Sequence, residues 1–307
     1  MKSSLVRALF VLNAGILALA GCSKSDDAII TNSPSQGALA FASVTTTGMT
    51  VNWPEATSTV STAAQIHYKL VYSTSQITEL AQAEAATVAM DYTAATLTTN
   101  VTGLTDSTTY YFAVLAKDSL GNVGYATSSQ ATLCSGKAMY IVTNAGKGGS
   151  LGGVSGADTI CTTNKPSGVS GTVKALLVDT TTRRACWVSG TANDSCSPST
   201  TTGRAGWVFA ASAKYCTSDY KSLIGSTNAS AYLVNHTAGV LATTNTDFFT
   251  GMNIYWGTSD GNNCTNWTST SGSPVTGGAS KSGESWVAGG TSNINCNTTG
   301  NIVCVEQ

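Results

Sequence analysis

Residues 104–116 read LTDSTTYYFAVLA, and this stretch decides the fold of the first half of the chain. Tyr110, Phe112, Val114 and Ala116 alternate with more polar neighbours, and a period of two predicts a half-buried β-strand. A turn-rich segment, residues 118–122, follows this strand. The same alternation occurs earlier, at Met49, Val51 and Trp53, and again at Ile66, Tyr68, Leu70 and Tyr72. The pattern predicts antiparallel strands over residues 38–133, with a short Ala- and Glu-rich helix within residues 76–86.

Residues 104–110 also resemble the L-x-P-x-T-x-Y corner of fibronectin type III domains, with Asp106 where proline is usual. Trp53 fits the B-strand tryptophan of that family. The resemblance implies a β-sandwich over residues 38–133 in which the Tyr110 hydroxyl bonds back to nearby backbone. A spacer that lifts the next domain off a membrane and a binding module both remain open, and without an Arg-Gly-Asp triplet integrin binding of that kind is not supported.

The first residues predict export from the cytoplasm. Lys2 and Arg7 precede an apolar run over residues 8–20, which is too short to span a bilayer core of ~30 Å as a helix. The run ends in Leu-Ala-Gly-Cys at residues 19–22 and resembles a bacterial lipoprotein signal peptide over residues 1–21. That resemblance implies cleavage before Cys22, acylation of Cys22 with fatty acids such as palmitate, and a membrane anchor. The alternative is an ordinary secretory signal with a coincidental cysteine.

Beyond Cys22, residues 22–37 are polar and predict a flexible tether after the lipidated cysteine. Ser23 gives no obvious inner-membrane retention signal, so the expected location is the cell envelope, lipid-anchored in the outer membrane and exposed at the surface. Only 10% of the residues are charged, the formal net charge is -1, and no Lys/Arg-rich run occurs. Such a chain lacks the positive field that nucleic-acid binding requires.

The second half of the chain, residues 134–307, is rich in cysteine. Once Cys22 is set aside, the even number that remains predicts a disulfide framework in an exported chain. A structural zinc site is the alternative, but no Cys-x-x-Cys pair occurs and the two histidines, His67 and His236, lie far from any cysteine cluster. The framework cysteines are Cys134, Cys161, Cys186, Cys196, Cys216, Cys264, Cys296 and Cys304.

This second half resembles the endostatin-like branch of the C-type-lectin-like fold. The matching segments are residues 151–161 (LGGVSGADTIC), 174–177 (KALL), 256–267 (WGTSDGNNCTNW) and 302–306 (IVCVE), in that order. The chain also ends in Cys-Val-Glu-Gln, as leptospiral endostatin-like surface lipoproteins do. The resemblance implies an α+β, disulfide-rich domain over residues 134–307, so that the whole chain is mostly β.

The family also implies particular bonds and sites. It pairs Cys161 with Cys304 and Cys264 with Cys296. Cys186 and Cys196 are close enough to close a local loop, which leaves Cys134 and Cys216 as tentative partners. Because animal endostatin binds heparin through arginines, the ligand-binding candidates here are Arg183, Arg184 and Arg204, with Lys174 beside them; scattered surface charge is the alternative.

Several further features point to structure more than to chemistry. Strands are predicted at Ile254–Gly257 and at residues 173–178 and 301–307. Asp158 lies near the start of a predicted helix. Asp260-Gly261-Asn262-Asn263 offers oxygen ligands for calcium, but Asp-Gly is also a common turn, and no metal or other cofactor is predicted. Tryptophan is abundant, and core packing is its default role, with an exposed ligand anchor as the alternative. The tryptophans concerned are Trp187, Trp207, Trp256, Trp267 and Trp286.

No catalytic constellation stands out, because two histidines and sparse carboxylates offer neither a triad nor a paired acid and base. The sequence therefore predicts a non-enzymatic surface lipoprotein. We expect an adhesin or ligand-binding protein whose partners, by resemblance, are extracellular-matrix or complement-regulatory proteins. A glycan-binding envelope module and a structural envelope protein without a specific ligand are the alternatives.

Overall fold

The strands of the first half form two antiparallel sheets that pack face to face. The computed structural model describes residues 33–186, 196, 199–242, 246–258, 262–283, 285–290 and 294–307. One sheet has the order β1-β2-β5 and the other β4-β3-β6-β7. The strands are β1 (Ala40–Ala42), β2 (Gly48–Asn52), β3 (His67–Ser73), β4 (Thr87–Ala94), β5 (Thr98–Thr102), β6 (Thr109–Lys117) and β7 (Val123–Ala131).

Alternating side chains build the core between these two sheets. Val51, Tyr68, Phe112 and Val114 are fully buried there, and Trp53 is nearly so. Burying a large apolar side chain stabilises a fold by roughly 1.5–3 kcal/mol, so each inward-facing residue of the alternating pattern stabilises the sandwich. The predicted strands and their inward faces are therefore confirmed.

Two local predictions in the sandwich are also confirmed. The Thr105 amide donates to the Tyr110 hydroxyl at 2.9 Å, which is the expected tyrosine corner. Helix α1 (Leu80–Ala85) lies within residues 76–86 and packs Ala83 against a second cluster around Val71 and Leu115. This cluster covers the outer face of the four-stranded sheet.

The remaining strands form one mixed sheet with short helices against it. Its order is β12-β11-β10-β8-β15-β13-β14, with β9 paired to β15. β10 runs parallel to β8 and β13 runs parallel to β15, while the other pairs are antiparallel. The elements are β8 (Lys137–Lys147), α2 (Gly153–Thr163), β9 (Val173–Ala175), β10 (Lys214–Thr217), β11 (Leu223–Thr227), β12 (Leu233–His236), β13 (Asp247–Phe249), α3 (Cys264–Trp267), β14 (Thr276–Gly278), α4 (Ser285–Ala288) and β15 (Thr299–Glu306).

Several predicted elements of this region need correction. Residues 254–257 form a turn and not a strand, and the strand predicted over 173–178 is only the three residues of β9. Asp158 lies in the middle of α2, so it does not cap the free amides at the start of that helix. The strand at the end of the chain, β15, is confirmed and lies in the middle of the sheet.

A polar cluster joins the sandwich to the mixed sheet. The carboxylate of Asp106 accepts from Lys214 Nζ through both oxygens at 2.8 Å and from the Ser135 hydroxyl at 2.6 Å. These bonds, led by the one from Lys214, lower the pKa of Asp106 to about 2. Asp106 is the residue that replaces the usual proline of the corner, so this departure from the family pattern has a structural use in this chain.

Candidate binding surface

Four disulfides fix the C-terminal region. Cys161–Cys304 ties α2 to β15, and Cys264–Cys296 ties α3 to the segment before β15. Cys134–Cys216 joins the residues after β7 to β10, and Cys186–Cys196 closes a local loop. The first two pairs are those that the resemblance implies, Cys186–Cys196 is the pair that the spacing indicates, and Cys134–Cys216 is the pair that was left. Covalent ties of this kind hold long loops in place where short strands cannot.

Arg183 does not belong to a ligand-binding patch. Its side chain is only 6% exposed and forms a two-pronged ion pair with Asp158, at 2.6 and 2.8 Å. The same guanidinium donates to the carbonyl of Ala175 at 2.9 Å. Because a buried guanidinium with these partners is used inside the protein, Arg183 is a structural residue that joins α2 to β9 and the following loop.

Arg184 and Arg204 are half-buried and also hold backbone. Arg184 donates to the carbonyls of Gly203 and Thr180 at 2.6 and 2.8 Å. Arg204 donates to the carbonyls of Ala185 and Ser230 and lies over the ring of Tyr232. The predicted arginine site is therefore corrected, because each guanidinium is directed at the protein's own carbonyls and not outward as a shared sulfate-binding surface.

The end of the chain is likewise used for structure. Burial opposes ionisation of Glu306, but the amides of Ala138 and Gly171 and the Tyr220 hydroxyl donate to its carboxylate and lower its pKa. Gln307 donates to the carbonyl of Val208 at 3.0 Å. The final Cys-Val-Glu-Gln sequence thus stabilises the centre of the sheet.

Most of the tryptophans are core residues, as predicted. Trp256, Trp267 and Trp286 are at most 3% exposed, and Trp207 is half-buried with its Nε1 donating to the carbonyl of Ala231. Trp187 lies outside the described residues. The Trp256 ring makes edge contacts with Trp207, Phe209 and Tyr232 at centroid distances of 5.7–6.2 Å. This aromatic cluster anchors the Trp256 side chain in the core.

Above it lies an exposed apolar tip, which we define as Ile254 and Tyr255. Their side chains are 43% and 47% exposed, and among the described residues they are the adjacent pair of large apolar side chains that face solvent. The tip is held from beneath: the Asn253 side chain accepts from the amides of Tyr255 and Gly257, and Trp256 fills the core. Exposed tyrosine is among the residue types most enriched at protein interfaces and in their hot spots.

Sequence reasoning missed this tip because residues 254–257 resemble an alternating strand. The signals that could have revealed it are the flanking Asn253 and Gly257, both of which favour turns. Trp256 adopts a φ of 64°, in the left-handed region, which turns its ring inward while its two predecessors face out. An isolated bridge between Met252 and Thr258 closes the base of the loop.

The described residues offer little catalytic or metal-binding geometry. No group of three or more His, Cys, Asp or Glu side chains among them is arranged to hold a metal ion. His236 contacts the Lys281 carbonyl and the Trp286 ring, and burial lowers its pKa, while His67 is exposed on β3. Asp260 and Gly261 of the calcium candidate lie outside the described residues, and Asn263 instead accepts from the Asn266 amide.

Cys22 and the signal-like residues before it also lie outside the described residues. Within the part of the chain that the structure describes, no helix is both long and apolar enough to cross a bilayer.

Two family models match parts of the chain. Residues 144–285 match a family described as a protein of unknown function, DUF1554. Residues 34–133 match the N-terminal domain of purple acid phosphatases, which is the non-catalytic part of that family. No curated protein matches the chain.

Several solved fibronectin type III domains are similar to the first half of the chain. The domain of human collagen alpha-1(XX) chain is 21% identical, with a TM-score of 0.26, over 34% of this chain and 90% of that one. The sixth domain from human fibronectin type III domain containing protein 3 is 20% identical, with a TM-score of 0.24, over 32% and 83% of the two chains. The sheet orders described above are those of a fibronectin type III-like sandwich.

Proposed function

We propose that this protein is a lipid-anchored envelope protein whose C-terminal region binds another protein at the cell surface through the exposed apolar tip. The observation that carries the proposal is the pair Ile254 and Tyr255, exposed on a base that the buried Trp256 and the Asn253 turn hold rigid. Rigid aromatic side chains contribute large contact areas at small entropic cost, so such a tip suits recognition of a protein surface.

The anchor supports this placement. Acylation at Cys22, followed by a polar tether and a fibronectin type III-like sandwich, would hold the C-terminal region away from the membrane. In this arrangement the sandwich acts as the spacer. The endostatin-like resemblance of residues 134–307 supports extracellular-matrix or complement-regulatory proteins as the class of ligand, and the corrected arginines argue against heparin-like sulfates.

A binding titration tests the proposal. The oxidised mature chain, residues 22–307 with Cys22→Ser to omit the lipid, is titrated with laminin, fibronectin, a complement regulator, heparin and a glycan array. Each titration is run with calcium and with EDTA, and at two salt concentrations. Saturable protein binding that survives EDTA and depends weakly on salt is expected, because apolar contacts are not screened. Glycan binding lost in EDTA would replace the proposal with a lectin function, and absence of all binding would leave a structural envelope protein.

The anchor has its own test. Blocking lipoprotein signal processing with a globomycin-type inhibitor should leave an unprocessed, larger form of the protein and change its partition into detergent. An unchanged size and partition would show that Cys22 is not lipidated, whatever the binding titration gives.

A further inference from the structure

The edge strands of the two regions differ in how they are protected from pairing with another chain. β12 has four residues and a register shift beside it, and β14 has three residues with α4 packed against it. β4 has register shifts against β3 and carries the charge of Asp91, and the edges of the other sandwich sheet, β1 and β5, have only three and five residues. Short strands, bulges, covers and charges are the usual ways in which proteins protect an edge.

β7 has none of these protections among the described residues. It spans nine residues, Val123–Ala131, contains no charged residue and no proline, and pairs with β6 without a register shift. Its side chains include the exposed Thr127 and Ser129. The backbone of Pro34 lies against Gly124 of β7. Gly124 is paired across the ladder with Ala116, whose side chain belongs to the core between the sheets. Pro34 therefore covers the core face of β7 and leaves its edge free.

The direction of the free backbone groups follows from the ladder. The Thr132 amide donates to the Thr108 carbonyl, just beyond the end of β7. Because hydrogen-bonded pairs alternate along an antiparallel ladder, the backbone groups of the even-numbered residues of β7 bond to β6. The N–H and C=O groups of Tyr125, Thr127 and Ser129 therefore point away from the sheet. Within the described part of the chain these groups have no backbone partner.

We propose that β7 pairs with β7 of a second copy of this chain, in an antiparallel two-fold arrangement centred on Thr127. With Thr127 opposite its own copy, Tyr125 lies opposite Ser129, and every outward-pointing group meets an outward-pointing group. The pairing joins two four-stranded sheets into one continuous sheet. A second copy is the proposed occupant because β7 is complementary to itself in this register: no like charges face each other, and a favourable Thr–Thr pair lies across the axis.

The test uses the oxidised mature chain, residues 22–307 with Cys22→Ser, measured by analytical ultracentrifugation over a wide range of concentrations. We expect a monomer–dimer equilibrium. Thr127→Lys places two like charges opposite each other at the axis and should weaken the dimer at least about tenfold. The matched control is Thr87→Lys at another exposed threonine, on the opposite edge strand β4, which should leave the dimer unchanged.

Amide exchange of the unsubstituted chain provides a second readout that does not depend on how the variants fold. The amides of Tyr125, Thr127 and Ser129 should become slower to exchange as the concentration rises, while those of β4 stay the same. A monomer at every concentration, or a dimer that Thr127→Lys leaves intact, would overturn the proposal.

Discussion

The sandwich of residues 40–131 contains no cysteine, whereas the mixed sheet and its loops are tied by four disulfides. The sandwich has strands of up to nine residues in two antiparallel sheets, and the C-terminal region combines two long strands, β8 and β15, with many strands of three to five residues. That region also has an apolar core, to which it adds covalent ties and buried polar groups such as Arg183 and Glu306. The comparison teaches that one chain uses two routes to a stable fold, and each route can be broken separately.

The largest expected effect separates the two routes directly. Replacing Cys161 and Cys304 by serine opens a loop that spans 143 residues and should lower the stability of the C-terminal region by roughly 4–5 kcal/mol. The sandwich should keep its stability. Hydrogen exchange resolved by region measures both at once.

The matched control is the pair Cys186 and Cys196, which are only 10 residues apart. Serine at both positions should cost about 3 kcal/mol or less, because a shorter loop restricts the unfolded chain less. Equal losses for the two pairs would contradict the loop-length argument, and loss of protection in β3 and β6 would contradict the independence of the sandwich.

A somewhat smaller effect is expected from Arg183→Ala. The substitution leaves the carboxylate of Asp158 without its ion-pair partner at a largely buried position, which should destabilise the C-terminal region by about 3 kcal/mol. Chemical denaturation followed by tryptophan fluorescence measures the loss. Arg184→Ala, at a half-buried position, should cost less; a reversed order would show that the ion pair is not the dominant contact.

The tyrosine corner tests the other side of the comparison. Tyr110→Phe removes the acceptor of the Thr105 amide and should destabilise the sandwich by about 1–2 kcal/mol. Tyr125→Phe removes an exposed bond to the Thr78 carbonyl and is the control, with an expected cost well below that. An effect that spreads to the C-terminal amides would show that the two regions unfold together.

The smallest effect depends on pH and concerns the polar cluster of Asp106, Lys214 and Ser135 that joins the sandwich to the mixed sheet. The pKa of Asp106 is lowered from 3.8 to about 2 in the folded chain. The ionised carboxylate therefore contributes its full stabilisation at pH values above the ordinary pKa of 3.8. This contribution should disappear as the pH falls toward about 2. Asp106→Asn should remove that part of the acid dependence, as measured by unfolding at a series of pH values, and an unchanged acid profile would contradict the role of the Lys214 pair.

The sequence predicted the sandwich well because its signals are local. The alternation at Tyr110, Phe112 and Val114 depends only on neighbouring residues, and the corner motif lies within seven positions. The C-terminal region was harder, because its pairs are distant: Arg183 meets Asp158 across 25 positions, and Glu306 meets Ala138 across 168. The residues next to an arginine in sequence do not distinguish a buried, ion-paired arginine from one on the surface.

The candidate tip was missed for a related reason. Ile254 and Tyr255 have the composition of a strand, but they lie in a turn that continues into the left-handed backbone of Trp256. The Trp256 ring packs against Trp207, Phe209 and Tyr232, which only the tertiary fold brings together. Local patterns thus predicted the buried position of Trp256 but not the exposure of Ile254 and Tyr255 beside it.

The most direct test of the account is to compare two exposed apolar sites in the same binding assay. Ile254→Ser with Tyr255→Ser removes the tip, and Leu120→Ser removes a 71% exposed side chain from the sandwich. With whichever protein ligand the titration identifies, we predict that the tip variant weakens binding at least about tenfold, as loss of a hot spot would, and that Leu120→Ser leaves it unchanged. Unchanged binding by the tip variant, or an equal loss in both, would contradict the proposal that the C-terminal tip is the binding surface.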